Sequence, residues 1–178
     1  MSQPLAHHED PYPPRSQRLR AAAAATAEAL QAALAEAHRY MGPRDRTVAE
    51  VRGHLRRRGV AVKVIDACVQ ELSEQGYLDD ARFARRFAED RRALDAWGNE
   101  RIRTRLLVLG IDEELVGAVV AGRDPSDELD AAVQLVCRRL GGAPRDERDR
   151  QRAFGLLLRR GYAVDLAYDA VRRAERAA

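Results

Sequence analysis

Three glycines, Gly59, Gly110 and Gly161, stand 51 residues apart, and each closes the same short pattern: a leucine, three residues, the glycine, then a bulky apolar residue. The three copies read Leu55-Arg56-Arg57-Arg58-Gly59-Val60, Leu106-Leu107-Val108-Leu109-Gly110-Ile111 and Leu157-Leu158-Arg159-Arg160-Gly161-Tyr162. The apolar register continues alike after each glycine, with Val64, Leu115 and Leu166 five positions on and Val69, Val120 and Val171 ten positions on. A fixed spacing of this length marks tandem supersecondary units, none of which buries its apolar face alone.

The chemistry of the repeat is that of helix ends. A glycine after Leu-x-x-x suits the left-handed residue that terminates a helix, and the apolar residue behind it folds back on the turn just completed. A new helix is expected within two or three residues. In the middle copy Asp112, Glu113 and Glu114 put negative charge on its first turn, where the helix dipole favours it. Upstream, Thr47 with Glu50 reads as a capping box opening a helix that carries Val51 and Leu55. Asn99 holds the equivalent start before Ile102 and Leu106, and Asp149 stands near the start of the helix carrying Phe154 and Leu157.

Each unit needs a further helix in front. The alanine run Ala21–Ala25 starts the first, with Leu30 and Leu34 on one face. The second spans about Asp79 to Arg92, with Phe83, Ala84, Phe87 and Ala88 as its apolar stripe. In the third, Ser126 is the expected cap of a helix carrying Leu129, Val133, Val136 and Leu140, ended by Gly141, Gly142 and Pro144. The expected fold is all-α: three tandem three-helix modules over residues 27–76, 77–123 and 124–178, forming an elongated, curved repeat. Residues 1–26 hold a disordered tail and the start of the first helix. The tail carries Pro4, Pro11, Pro13, Pro14, His7 and His8 and has almost nothing to bury. Helices of about 15 residues span roughly 22 Å, so three modules reach on the order of 60 Å.

Composition agrees. Aromatic residues are 5% of the chain, so the core must be built from Ala, Val and Leu, and strand formers are sparse. Of 31 basic residues Lys63 is the one lysine, and the arginine excess matches what a GC-rich coding sequence produces. Cys68 and Cys137 lie far apart in apolar helical contexts, as reduced, buried small hydrophobes rather than a disulfide framework. With no secretory signal and no membrane-length apolar run, a cytoplasmic protein is expected.

The segment Gly76-Tyr77-Leu78-Asp79-Asp80-Ala81-Arg82-Phe83-Ala84 resembles the Gly-Tyr-Leu-Asp-Asp-x-Arg-Phe-Ala signature of the RecX family. Upstream, Arg44-Asp45-Arg46-Thr47 with Glu50 and Leu55 resembles that family's first-module pattern. Downstream, Arg91, Gly98, Arg101-Ile102 and Gly110-Ile111-Asp112 resemble the family's stretch C-terminal to the signature. Arg105 departs from the pattern, standing where an acidic residue is usual, and Leu109 stands where a basic one is. The resemblance covers roughly residues 27–173. It implies a regulator that lodges in the groove of the RecA recombinase filament, acts in DNA repair and the SOS response, needs no cofactor or metal, and works as a monomer.

Asp79 and Asp80, a tempting acid/base pair, are expected to cap their own helix. Tyr77 and Leu78 are expected to pack where that helix begins. His7, His8, His38 and His54 have no metal-ligand spacing, and no phosphate loop or nucleophile elbow is present, so an enzyme is not expected. The candidate partner-binding residues are Arg56, Arg57, Arg58, Arg82, Arg85, Arg86, Arg101, Arg103 and Arg105. They suit carboxylates on a protein surface and the phosphates of single- or double-stranded DNA. The bland alternative is a solvated face in which Arg82 and Arg86 pair with Glu89 and Asp90. Reversing charge at Arg57, Arg58, Arg101 and Arg103 together is expected to weaken binding without unfolding the chain. Two rivals stand beside the regulator: a helix-turn-helix DNA reader, disfavoured by the acidic starts Asp112-Glu113-Glu114 and Ala163-Val164-Asp165, and a helical-repeat scaffold for another partner.

Overall fold

A computed structural model of the protein describes residues 15–176. These residues form nine helices and no strand: α1 (Arg15–Met41), α2 (Val48–Arg57), α3 (Val62–Glu74), α4 (Asp80–Asp95), α5 (Asn99–Val108), α6 (Glu113–Ala121), α7 (Pro125–Leu140), α8 (Glu147–Arg160) and α9 (Val164–Arg176). The all-α expectation holds. Arg15–Arg20, assigned to the tail from sequence, are the first turns of α1, which therefore begins before the alanine run. Pro4, Pro11, Pro13, Pro14, His7 and His8 lie outside the described residues.

The repeated glycines do what their spacing demands. Gly59, Gly110 and Gly161 have φ of 76°, 79° and 82°. Behind each, the apolar residue donates its N–H to the repeat leucine: Val60 to Leu55, Ile111 to Leu106 and Tyr162 to Leu157, all at 3.1 Å. That bond, with the glycine N–H returning to the carbonyl three residues back, is the Schellman ending. The turn drives the side chain inward. Leu55, Leu106 and Leu157 are fully buried, as are Val51, Ile102 and Ala153 one turn earlier.

Three separate apolar clusters result. One gathers α1, α2 and α3 around Leu55, Ile65, Cys68 and Leu72. The next gathers α4, α5 and α6 around Ala84, Ala88, Ile102, Leu106 and Val116. The last gathers α7, α8 and α9 around Val136, Leu157, Tyr162 and Ala170. Ala, Val and Leu make up most of the buried side chains, and Tyr162 is the one aromatic among them in the described residues. Burial holds the Tyr162 phenol above its ordinary range. Cys68 is fully buried, but Cys137 is half-buried rather than enclosed.

Four helix starts carry aspartate caps, at Asp79, Asp112, Asp124 and Asp146. Thr47 makes the expected capping box with Glu50. Ser126 does not cap α7: Asp124 does, its carboxylate accepting from the Ser126 N–H with Pro125 as the first helical residue. Asp146 caps α8 by accepting from the Asp149 N–H. Asn99 is the first residue of α5, and the cap position before it is Gly98, which has no side chain to offer.

Candidate partner-binding surface

What positions this surface is a joint used twice. The C-terminus of α8 meets the N-terminus of α5, and the C-terminus of α5 meets the N-terminus of α2. At the first of these, Gly98 N–H donates to Arg160 O at 2.9 Å and Glu100 N–H to Gly161 O at 3.1 Å. The Arg101 guanidinium reaches Arg159 O at 2.8 Å. The Asn99 N–H donates to Glu128 Oε1 at 2.9 Å, and the Asn99 side-chain amide to Glu128 Oε2. The orphan N–H groups of α5 are thus satisfied by the next module, which is how a helix opened by glycine stays capped. At the second joint, Thr47 Oγ1 donates to Leu109 O at 2.8 Å and Asp80 Oδ1 accepts from the Val48 N–H at 2.9 Å. In both joints a carboxylate from the following module's leading helix sits on the N-terminus of the preceding middle helix. Helix dipoles meet head to tail there, so each contact is favourable for both ends.

Close approach explains the glycines a second time. A Cβ on Gly110 would fall under 3.0 Å from the Ala49 side chain, and one on Gly161 would fall under 3.0 Å from the backbone and Cβ of Arg101. A Cβ on Gly98 would likewise fall under 3.0 Å from the Gly161 carbonyl. A Cβ on Gly59 would meet nothing within 4 Å among the described residues.

The signature segment belongs to the second joint. Gly76 ends α3 in a left-handed turn at φ 75°. Leu78 is buried in the first cluster, while Tyr77 is exposed and sets its ring edge-on to His38 at 4.8 Å. Asp79 caps α4 through the Arg82 N–H at 2.8 Å. Asp80 does not cap its own helix as expected: its side chain crosses to α2. Burial first, then repulsion from Asp79 and Glu50, raises the Asp80 carboxyl above the usual aspartate range, against the Val48 hydrogen bond. Phe83 and Phe87 are partly buried and stacked with ring centroids 6.0 Å apart, and Ala84 is fully buried.

The nine candidate arginines fall into two groups. Four are occupied within the molecule. Arg58 pairs with Glu36 at 3.0 Å, Arg82 donates to Gly76 O at 2.8 Å, Arg86 pairs with Asp45 at 2.9 Å, and Arg101 holds Arg159 O while lying 4.3 Å over the Trp97 ring. Arg82 and Arg86 therefore do not pair along their helix with Glu89 and Asp90; Arg86 crosses to the preceding module instead. Arg56, Arg57, Arg85, Arg103 and Arg105 have no carboxylate within 4.0 Å among the described residues. All five are exposed except Arg103, which is half-buried. Arg92, which sequence placed on the same helix, is turned inward onto Asn99 at 2.9 Å, and burial lowers its pKa from the ordinary arginine value.

Beside the first joint an open groove of about 670 Å³ runs along α5 and ends on α8. Trp97, Arg101, Thr104, Arg105 and Val108 line one side; Leu158, Arg159 and Gly161 line the other. Sequence reasoning singled out Arg101 and Arg105 here and missed the apolar members. The signal was available in the repeat: where α2 ends in Arg56-Arg57, α5 ends in Leu107-Val108, and Val108 is 68% exposed. His54 is a structural histidine, 2.7 Å from Glu36 and stacked on Tyr40 at 4.0 Å. Its hydrogen bond, with Arg58 and Arg39 nearby, lowers the Glu36 carboxyl below the usual glutamate range. No described helix is long and apolar enough to cross a membrane.

Two family models match the chain: the first three-helix domain of RecX over residues 33–72 and the second over residues 79–120. A regulatory protein RecX from Thermobifida fusca is 40% identical over 130 residues, spanning 71% of this chain and 70% of that protein. One from Mycobacterium avium is 37% identical over 136 residues, spanning 75% and 79%. The crystal structure of RecX from Lactobacillus salivarius superposes with a TM-score of 0.75 at 18% identity over 84% of this chain and 99% of that one, a likeness of fold.

Proposed function

This chain belongs to the RecX family, and from that membership we propose that it is a non-enzymatic regulator that binds the groove of the RecA–DNA filament in the cytoplasm as a monomer. The observation that carries the proposal is the identity of 40% to a regulatory protein RecX across most of both chains. Bound along the groove, the protein contacts more than one recombinase protomer and hinders strand exchange, ATP hydrolysis and co-protease activity. Modules spanning about residues 27–76, 77–123 and 124–178 supply the length. The arginines without an ion pair among the described residues, Arg56, Arg57, Arg85, Arg103 and Arg105, supply contacts to protein carboxylates and to the phosphates of the enclosed DNA.

Geometry supports this over the DNA-reader alternative. The last helix of the middle module opens with Asp112 as its cap and Glu113 and Glu114 in its first turn, all exposed. An acidic start repels phosphate at the place where a recognition helix must approach it. Mixing the purified chain with RecA, ATP and single-stranded DNA tests the proposal. Inhibition of ATP hydrolysis or strand exchange at substoichiometric amounts is expected; no effect at stoichiometric excess transfers the chain to the scaffold class.

A further inference from the structure

The groove beside the α5–α8 joint combines two things the fold itself does not require. Val108 and Leu158 are large apolar side chains left 68% and 39% exposed at the ends of their helices. The corresponding positions of the first module carry Arg57 and Arg56, and the third module carries Arg159 where the second has Val108. The same Schellman ending therefore forms with arginine there, and the core gains nothing from the exposed apolar residues. Around them stand Arg101, Arg105 and Arg159 against one carboxylate, Glu100. Neither Arg105 nor Arg159 has a carboxylate within 4.0 Å among the described residues. The Trp97 ring forms part of the wall beneath Arg101, 4.3 Å from its guanidinium carbon.

We propose that this groove docks an acidic, apolar-anchored segment of a protein partner. The apolar anchor lies on Val108, Leu158 and the Trp97 edge, and flanking Asp or Glu residues meet Arg105 and Arg159. Charge complementarity selects the occupant: the rim is basic, and a floor of Val, Leu and Trp suits branched aliphatic side chains, whereas a nucleic-acid strand offers phosphate to the rim and flat bases rather than branched aliphatic chains to the floor. The proposal rests on the regulator reading only for the identity of the partner, which is then the recombinase.

Trp97 is the one tryptophan of the chain, so its emission reports the groove directly in the intact protein. The probe is a 15-residue helical peptide without tryptophan, carrying leucine on one face and glutamate elsewhere. A matched peptide with lysine for glutamate and a dT15 oligonucleotide are its controls. Saturable change of Trp97 emission with the glutamate peptide alone is expected, weakened by salt. Arg105→Glu with Arg159→Glu should weaken it about tenfold. The decisive variant is Val108→Arg with Leu158→Arg, which installs residues the repeat already tolerates. It adds positive charge, so a purely electrostatic site would bind the glutamate peptide more tightly, whereas an anchored segment binds about tenfold more weakly.

Equal binding of the lysine peptide, unchanged or tighter binding by the double arginine variant, or saturation by dT15 in place of the glutamate peptide overturns the proposal. The same variant in the RecA assay separates the two claims. Undiminished inhibition by the variant removes the groove and leaves the regulator standing. Absence of inhibition by the unmodified chain removes the recombinase, while the peptide titration still decides the groove.

Discussion

Thr47 and Leu109, sixty-two residues apart in sequence, are joined by a 2.8 Å hydrogen bond from the threonine hydroxyl to the leucine carbonyl. The same hydroxyl accepts from the Glu50 N–H at 3.1 Å, so one fully buried side chain caps α2 and ties it to the end of α5. Valine keeps the shape and loses both bonds, leaving the half-buried Glu50 N–H and Leu109 carbonyl without this partner. Thr47→Val is expected to destabilise the chain by about 2–3 kcal/mol, and Thr47→Ser by less than about 1 kcal/mol. Urea denaturation of the two variants checks this; equal losses would mean that packing, not hydrogen bonding, holds the joint.

Gly59 and Gly110 share a left-handed backbone, φ 76° and 79°, yet only Gly110 presses against a neighbouring module at Ala49. Gly59→Ala therefore meets conformational strain alone, about 1 kcal/mol. Gly110→Ala adds a steric clash, about 1–3 kcal/mol more. Pairing Gly110→Ala with Ala49→Gly should recover part of the second amount. A double-mutant cycle with no coupling between positions 49 and 110 would contradict the close approach.

Asp80 gives the chain a pH dependence of defined sign. Its folded carboxyl lies above the usual aspartate range, mainly through burial. Between the ordinary value and the folded one, the native state holds more protons than the unfolded state, so stability falls as pH rises. The contribution is fully present below the ordinary aspartate value and is lost on passing the folded value. Asp80→Asn retains an oxygen for the Val48 N–H and has no proton to lose. It should match the parent in acid and equal or exceed it at neutral pH, read by denaturant midpoints between about pH 3 and pH 7. A variant that falls below the parent only at neutral pH would show that the charge on α2's N-terminus outweighs burial.

Elements whose physics is local were legible in the sequence, and the joints were not. The three glycine turns rest on one leucine, one glycine and one apolar residue within six positions, and burial of Leu55, Leu106 and Leu157 comes with the turns. The signature segment carried the family. Glu128, by contrast, is 7% exposed because it serves Asn99 on another module, and no periodicity of its own helix announces that. Gly98 looks like a poor cap until Arg160 and Gly161 supply the acceptors for the α5 N-terminus. Asp80 was assigned to the nearest helix because proximity in sequence is the only distance a sequence offers. The same limit hid the groove, whose two walls come from residues fifty or more positions apart.

That limit also changes what the arginines can test. Reversing Arg57, Arg58, Arg101 and Arg103 together confounds binding with folding, because Arg58 holds Glu36 and Arg101 holds Arg159 O. Glu36 depends on its neighbours, since the His54 bond together with Arg58 and Arg39 lowers its pKa. Arg58→Glu with Arg101→Glu is expected to lose about 1 kcal/mol or more of stability, from the carbonyl bond and the Trp97 contact in particular. Arg57→Glu with Arg103→Glu breaks no ion pair among the described residues and should stay within about 0.5 kcal/mol of the parent's stability. If these two arginines face the recombinase filament, the second pair alone should weaken filament binding and flatten its salt dependence while the fold stays intact. Binding unchanged by a folded Arg57→Glu, Arg103→Glu protein would take both residues off the contact surface and leave Arg105 and Arg159, at the groove, to carry it.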